Sequence, residues 1–136
     1  MIAFFDASAL ITLIEAREPF ASTLRQALTA LAELHPGMPV ALSCLTWLAC
    51  RVGPLKGGDA VTLARYDAFF ARPDLIWVEL GRDVVELATA VRARHGLRTP
   101  DALQAACCLQ LGPEHLLLTG DTAFTRVSGL RVRVLA

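Results

Sequence analysis

Five short apolar runs constrain this chain more than any other feature of its sequence: IAFF (2–5), PVAL (39–42), LIWVEL (75–80), HLLLT (115–119) and LRVRVL (130–135). Each is too short for a helix, and the segments between them carry helical signals. SALITLIEA (8–16) follows the first run, and PFASTLRQALTALAEL (19–34) starts at Pro19 and stops at His35-Pro36-Gly37. Ser43 stands where a helix N-cap belongs, before the mostly apolar stretch CLTWLACRV, and GPLKGGD (53–59) is expected to be a loop. Further helices are expected at AVTLARYDAFFA (60–71), at DVVELATAVRARH (83–95) before Gly96, and at DALQAACCLQL after Thr99-Pro100. Strands buried on both faces and alternating with helices predict one α/β domain over 1–136. The expected architecture is three layers, a mostly parallel five-stranded sheet with helices on both faces.

In such a sheet, sites form in the crevice beyond the C-terminal ends of the strands. Asp6 directly follows the first strand and Asp121 the fourth, while Asp101 opens the helix after HGLRTP. Singly, each has a structural use: Asp6 and Asp121 as helix caps, Asp101 as a favourable charge at a helix N-terminus. Together they would crowd one edge of the sheet. Two carboxylates about 5 Å apart repel by roughly 3 kcal/mol at an effective dielectric near 20. Oxygen-only donors of this kind suit Mg²⁺ or Mn²⁺, which keep several waters and complete their shell with substrate phosphates. His35, His95 and His115 lack the spacing of a zinc site.

Charge is balanced, 13 basic against 13 acidic residues, so no global field draws the chain to nucleic acid. Any phosphate contact falls to local clusters: Arg92, Arg94, His95 and Arg98 before Asp101, and Arg51 with Lys56 after the Trp47 stretch. The hydrophobic fraction of 54% is high for a chain of 136 residues and favours a homo-oligomer. The four cysteines lack C-x-x-C spacing and read as small buried groups in a reducing cytoplasm. No run reaches membrane-spanning length.

The blocks FFDASALI, LSCLTWL, RTPDALQAA and LLLTGDTAF resemble, in order and spacing, the PIN-domain ribonucleases, and most nearly the VapC-type toxins of bacterial toxin–antitoxin pairs. The resemblance spans nearly the whole chain. It implies a PIN fold, a homodimer, a cytoplasmic protein, Mg²⁺- or Mn²⁺-dependent cleavage of RNA, and restraint by a cognate antitoxin. Carried over by position, Asp6, Asp101 and Asp121 match three metal-site acids of the family. Ser8 matches a small hydroxyl residue beside the first, and Thr99 belongs to the lead-in before the third. Arg51, Arg94 and Arg98 stand where RNA contacts are expected.

One departure stands out. In these toxins a glutamate usually follows the LT pair in the pattern L-T-x-x-E, and here that position holds Ala49. Its neighbours fit the pattern, so a register slip does not explain the gap. The next acid downstream is Asp59, and Glu15 would have to reach back from the first helix. A deliberate Glu-to-Ala change and a natural loss both account for it, and the intact surroundings favour the first. The implied function is an endoribonuclease toxin weakened at position 49. The alternatives are a non-catalytic module that dimerises and binds an antitoxin, and a different Mg²⁺ protein on a similar sheet, such as a phosphatase or a phospho-acceptor domain. The last needs a lysine beside its aspartate, and Lys56 is the sole candidate.

Overall fold

In the computed structural model, which describes residues 1–135, all five runs form strands. They are β1 (Ile2–Phe5), β2 (Val40–Ser43), β3 (Ile76–Val78), β4 (His115–Thr119) and β5 (Val132–Val134). The helices are α1 (Ala7–Ile14), α2 (Phe20–Leu34), α3 (Cys44–Gly57), α4 (Ala60–Phe70), α5 (Arg82–His95) and α6 (Thr99–Leu109), and Thr122–Arg126 forms a 3₁₀ turn. The sheet order is β3-β2-β1-β4-β5, and every pairing is parallel.

Alternation along the strands divides the core into two layers. On one face Phe4, Ala41 and Leu117 pack with α5 and α6 through Val84, Ala88, Val91, Ala102, Ala105 and Ala106. On the other, Ala3, Phe5, Leu42 and Leu118 meet Leu10 of α1, Leu24 and Leu31 of α2, Cys50 of α3, and Tyr66 and Phe70 of α4. The expected three-layer α/β architecture is therefore present, with the sheet parallel throughout.

The loop expected over 53–59 is instead mostly helix, since α3 continues to Gly57 and ends with Gly58 in the left-handed conformation at φ 67°. Pro54 removes a single hydrogen-bond donor, and packing of α3 on α4 outweighs the poor helix propensity of Gly53 and Pro54. Trp47 of α3 stacks on Phe70 of α4 with ring centres 5.1 Å apart, and Trp77 of β3 closes the aromatic cluster.

His115 is a structural pin, in keeping with its lack of zinc spacing. It is buried at the start of β4, with Nδ1 2.6 Å from the Gly112 carbonyl oxygen. Its Nε2 accepts the Arg131 backbone N–H at 3.0 Å, which fixes the tautomer as Nδ1–H donating to Gly112. All four cysteines are free thiols. Burial pushes Cys50 up to about 12, and burial with the neighbouring Glu79 carboxylate pushes Cys44 up to about 11. Neither behaves as a nucleophile at neutral pH. Among the described residues, no helix is long and apolar enough to cross a membrane.

Candidate active site

The strand order reverses between β1 and β4: the chain leaves β1 toward β2 and β3 on one side, while β4 and β5 lie on the other. This switch point leaves a crevice at the C-terminal ends of the two strands, where α/β sheets bind ligands. Asp6 stands at the end of β1, and its backbone N–H donates to Leu118 of β4 at 3.2 Å. Asp121 follows β4 after Gly120, and Asp101 sits in the first turn of α6. All three acids line one crevice, together with Ser8, Ala49, Arg98 and Gln104.

Two of these acids also cap the elements that follow them. Asp6 Oδ1 caps α1 by accepting the Ala9 N–H at 2.9 Å, and Asp121 Oδ1 caps the 3₁₀ turn through the Ala123 N–H at 2.8 Å. Both still face the crevice. Ser8 Oγ donates to Asp6 Oδ1 at 2.8 Å and accepts the Gly120 N–H at 3.1 Å, tying α1 to the loop after β4. Thr119 Oγ1 donates to Asp6 Oδ2 and accepts the Asp121 N–H at 3.0 Å, so one buried hydroxyl links two acids.

Burial raises the Asp6 carboxyl above the usual aspartate range, and the nearby Asp101 charge adds to the rise. Hydrogen bonds from Thr119, Ala9 and Ser8 offset only part of it. Among the described residues, no Arg, Lys or His pairs with Asp6. Asp101 has the exposed Arg98 guanidinium 3.4 Å from Oδ2, a surface pair of little strength.

An oxygen-only donor set around a buried carboxylate without a cationic partner fits a hard divalent cation. The acids border a shared crevice without closing into a cage: among the described residues, no three His, Cys, Asp or Glu side chains are grouped to hold one ion. Mg²⁺ is commonly held by one or two carboxylates with its waters retained, so an open arrangement remains compatible with the chemistry.

Ala49 lines the crevice and also a neighbouring hollow containing Glu15, Arg17 and Asp59. Glu15 does not reach back: it accepts the Tyr66 hydroxyl proton and pairs with Arg17 at 3.2 Å. Thr99 lines the groove between α5 and α6 instead of the crevice. Arg51 also lies outside it, held to Asp67 at 2.8 Å and stacked 4.7 Å over the Trp47 ring. Lys56 borders the outer face of α3 and does not line the crevice that holds the aspartates. Arg94 is exposed on α5 and does not line the crevice, whereas Arg98 does.

A PIN domain model matches residues 3–130. This chain belongs to the PIN domain family. A toxin–antitoxin complex from Klebsiella pneumoniae contains a chain similar to this PIN domain, with 26% identity, 98% of each chain covered and a TM-score of 0.72. VapBC2 from Rickettsia felis, bound to a DNA fragment from its promoter, matches at 15% identity, 100% coverage of both chains and a TM-score of 0.78. VapBC-1 from nontypeable Haemophilus influenzae matches at 16% identity, 99% and 98% coverage, and a TM-score of 0.69. The two more distant likenesses speak to fold alone. No curated protein matches the sequence significantly.

Two residues that support or border the crevice acids were missed in the sequence, Thr119 beneath Asp6 and Gln104 on the crevice lining. Thr119 reads there as the last residue of a strand, and its signal is a lone hydroxyl at a strand end beside Asp6. Gln104 lies three residues after Asp101, hence on the same helix face, as the one polar side chain in a run of alanines and cysteines.

Proposed function

We propose that this PIN domain is the toxin of a toxin–antitoxin pair, built as a Mg²⁺- or Mn²⁺-dependent endoribonuclease and weakened by Ala49. The observation that carries the reading is the meeting of Asp6, Asp101 and Asp121, from three separate junctions, on one crevice at the switch point of the sheet. These acids would hold the cation, which when bound lowers the pKa of water and steadies charge on a phosphodiester.

The chain's own residues do the rest. Ser8 and Thr119 fix both oxygens of Asp6, so the carboxylate needs no reorganisation on binding. Arg98, at the rim, can move from Asp101 to a substrate phosphate, because its present pairing is long and exposed. Ala49 supplies no oxygen where a glutamate would, so one ligand or water-holding group is lost. Losing even an outer partner commonly costs about 10–100-fold in affinity or activity.

The partner is an antitoxin. The toxin–antitoxin complex that resembles this chain supports it, as does an exposed apolar stripe of Leu48, Val52 and Leu55 on α3, beside Trp47. Leu48 borders both this stripe and the crevice, so a bound segment could cover the acids. A second reading, a non-catalytic partner-binding module, draws on the same stripe and on Ala49.

Cleavage of transfer and ribosomal RNA with Mg²⁺ or Mn²⁺ separates the two, with EDTA as control. The chain itself is expected to cut little or not at all. The Ala49→Glu variant is expected to cut, and adding Asp6→Asn to it to abolish cutting. No cleavage by Ala49→Glu would favour the binding module. Equal EDTA-sensitive cleavage with Ala49 and with Glu would remove position 49 from the site.

A further inference from the structure

Gln104 sits on α6 and is buried, with 4% of its surface exposed. Its Nε2 donates to Thr46 Oγ1 on α3 at 2.9 Å. Thr46 is itself fully buried and lies three residues before Ala49, on the same helical face. The amide therefore bridges the two helices that carry Asp101 and position 49. Its other end has no partner: Gln104 Oε1 is the one buried side-chain oxygen or nitrogen without a hydrogen bond among the described residues.

Buried carbonyl oxygens are normally satisfied, and leaving one unmade carries a free-energy cost. Packing alone would be served better by Leu or Met, which fill the space without an acceptor. The space that Gln104 borders is the acidic crevice. A group arriving there beside three carboxylates is positively polarised, either a cation with its waters or a water donated into the cluster.

We propose that Gln104 is a positioning residue of the crevice, its free carbonyl oxygen accepting a hydrogen bond from a water of the hydration shell around a divalent cation. The Thr46 bond holds the amide through one N–H of Nε2 and leaves Oε1 as the end without a partner. Carboxylates supply charge; Gln104 supplies a neutral acceptor that orients a water without adding repulsion. This inference rests on the cation-site reading of the acids and adds a residue to it.

The test is Mn²⁺ binding, with Mn²⁺ alone as probe, followed by loss of the free-ion electron paramagnetic resonance signal. The chain, its Gln104→Met, Gln104→Glu and Asp6→Asn variants, and the same three changes on an Ala49→Glu background are compared. Metal-free Tm is measured for each. Gln104→Met is expected to weaken Mn²⁺ binding about 10-fold or more, while metal-free Tm holds or rises because the unpaired acceptor is gone. Gln104→Glu keeps an acceptor and is expected to bind Mn²⁺ as well as Gln104 or more tightly. Unchanged binding by Gln104→Met, with Asp6→Asn defective, overturns the inference and leaves the acid site standing. Equal losses in the Met and Glu variants together with lower Tm show a structural prop and also overturn it. Absence of Mn²⁺ binding in every chain, Ala49→Glu included, overturns the cation-site reading and this inference with it.

Discussion

Asp6 concentrates the conflict between folding and chemistry in a single side chain. It caps α1, accepts two hydroxyl protons and is buried, yet among the described residues no basic side chain pairs with it. Because its carboxyl is raised above the unfolded value, the stabilising form is the protonated one. That contribution is fully present below the unfolded pKa and is lost as pH rises through the folded one. At neutral pH without metal, Asp6→Asn is therefore expected to raise Tm, because the amide keeps acceptor and donor capacity without the buried charge. The advantage is expected to shrink as pH falls through the carboxylate range, where Asp6 takes up its proton. Saturating Mn²⁺ is expected to cancel it by neutralising the carboxylate. Thermal melts across pH, with EDTA and with Mn²⁺, check all three. A lower Tm for the Asn variant at every pH would mean that the hydrogen bonds of the ionised form outweigh its desolvation.

Secondary structure and layers were legible in the sequence because they depend on local signals: apolar run length, Pro19, Gly96 and the Thr99-Pro100 start. The crevice was legible for Asp6, Asp101 and Asp121, since junction residues of a parallel sheet share an edge. Thr119 and Gln104 were not, because their roles depend on which strands and helices become neighbours. Nor was the extent of α3, where packing of Trp47 on Phe70 carries the helix past Gly53-Pro54. Arg51, a candidate phosphate contact in the sequence, pairs with Asp67 and stacks on Trp47, an arrangement its local sequence does not signal. The same dependence on neighbours makes His115 a useful probe of how β5 is attached. It bonds the loop before β4 to the backbone just before β5. His115→Phe fills most of the ring volume but leaves the Gly112 carbonyl and the Arg131 N–H without these partners. An unmet group costs up to about 1–3 kcal/mol when fully buried, and these two are part-buried. A fall in Tm of several degrees is expected, with Mn²⁺ binding by the distant acids unchanged. A Tm equal to that of the parent would show that water replaces the imidazole and that β5 is held by its ladder alone.

At the scale of the whole molecule, the question is what covers the apolar surface. The chain exposes 7197 Å², close to the roughly 6,900 Å² expected of a compact monomer of this mass, so the excess of hydrophobic residues is not hidden by unusual compactness. Part of it remains outside: Trp47, Leu48, Val52 and Leu55 on α3, Val61 on α4, Val85 on α5, and Phe20 and Leu34 on α2 are all exposed. These residues lie on several elements, more than one partner segment along α3 would cover. A homodimer is therefore proposed in addition to the antitoxin. A stable one buries about 1,600 Å² in total, or about 800 Å² from each copy, which is roughly a ninth of the 7197 Å² surface. Sedimentation equilibrium at tens of micromolar is expected to give twice the chain mass. Leu48→Asp with Val52→Asp tests whether the two surfaces are separate, because it places two charges on the stripe assigned to the antitoxin. The double variant is expected to stay dimeric and to lose its antitoxin. Dissociation to monomers would instead make the α3 stripe the dimer interface and leave the antitoxin to bind elsewhere. A monomer in the unaltered chain at that concentration would refute the dimer and leave the exposed apolar residues to the antitoxin.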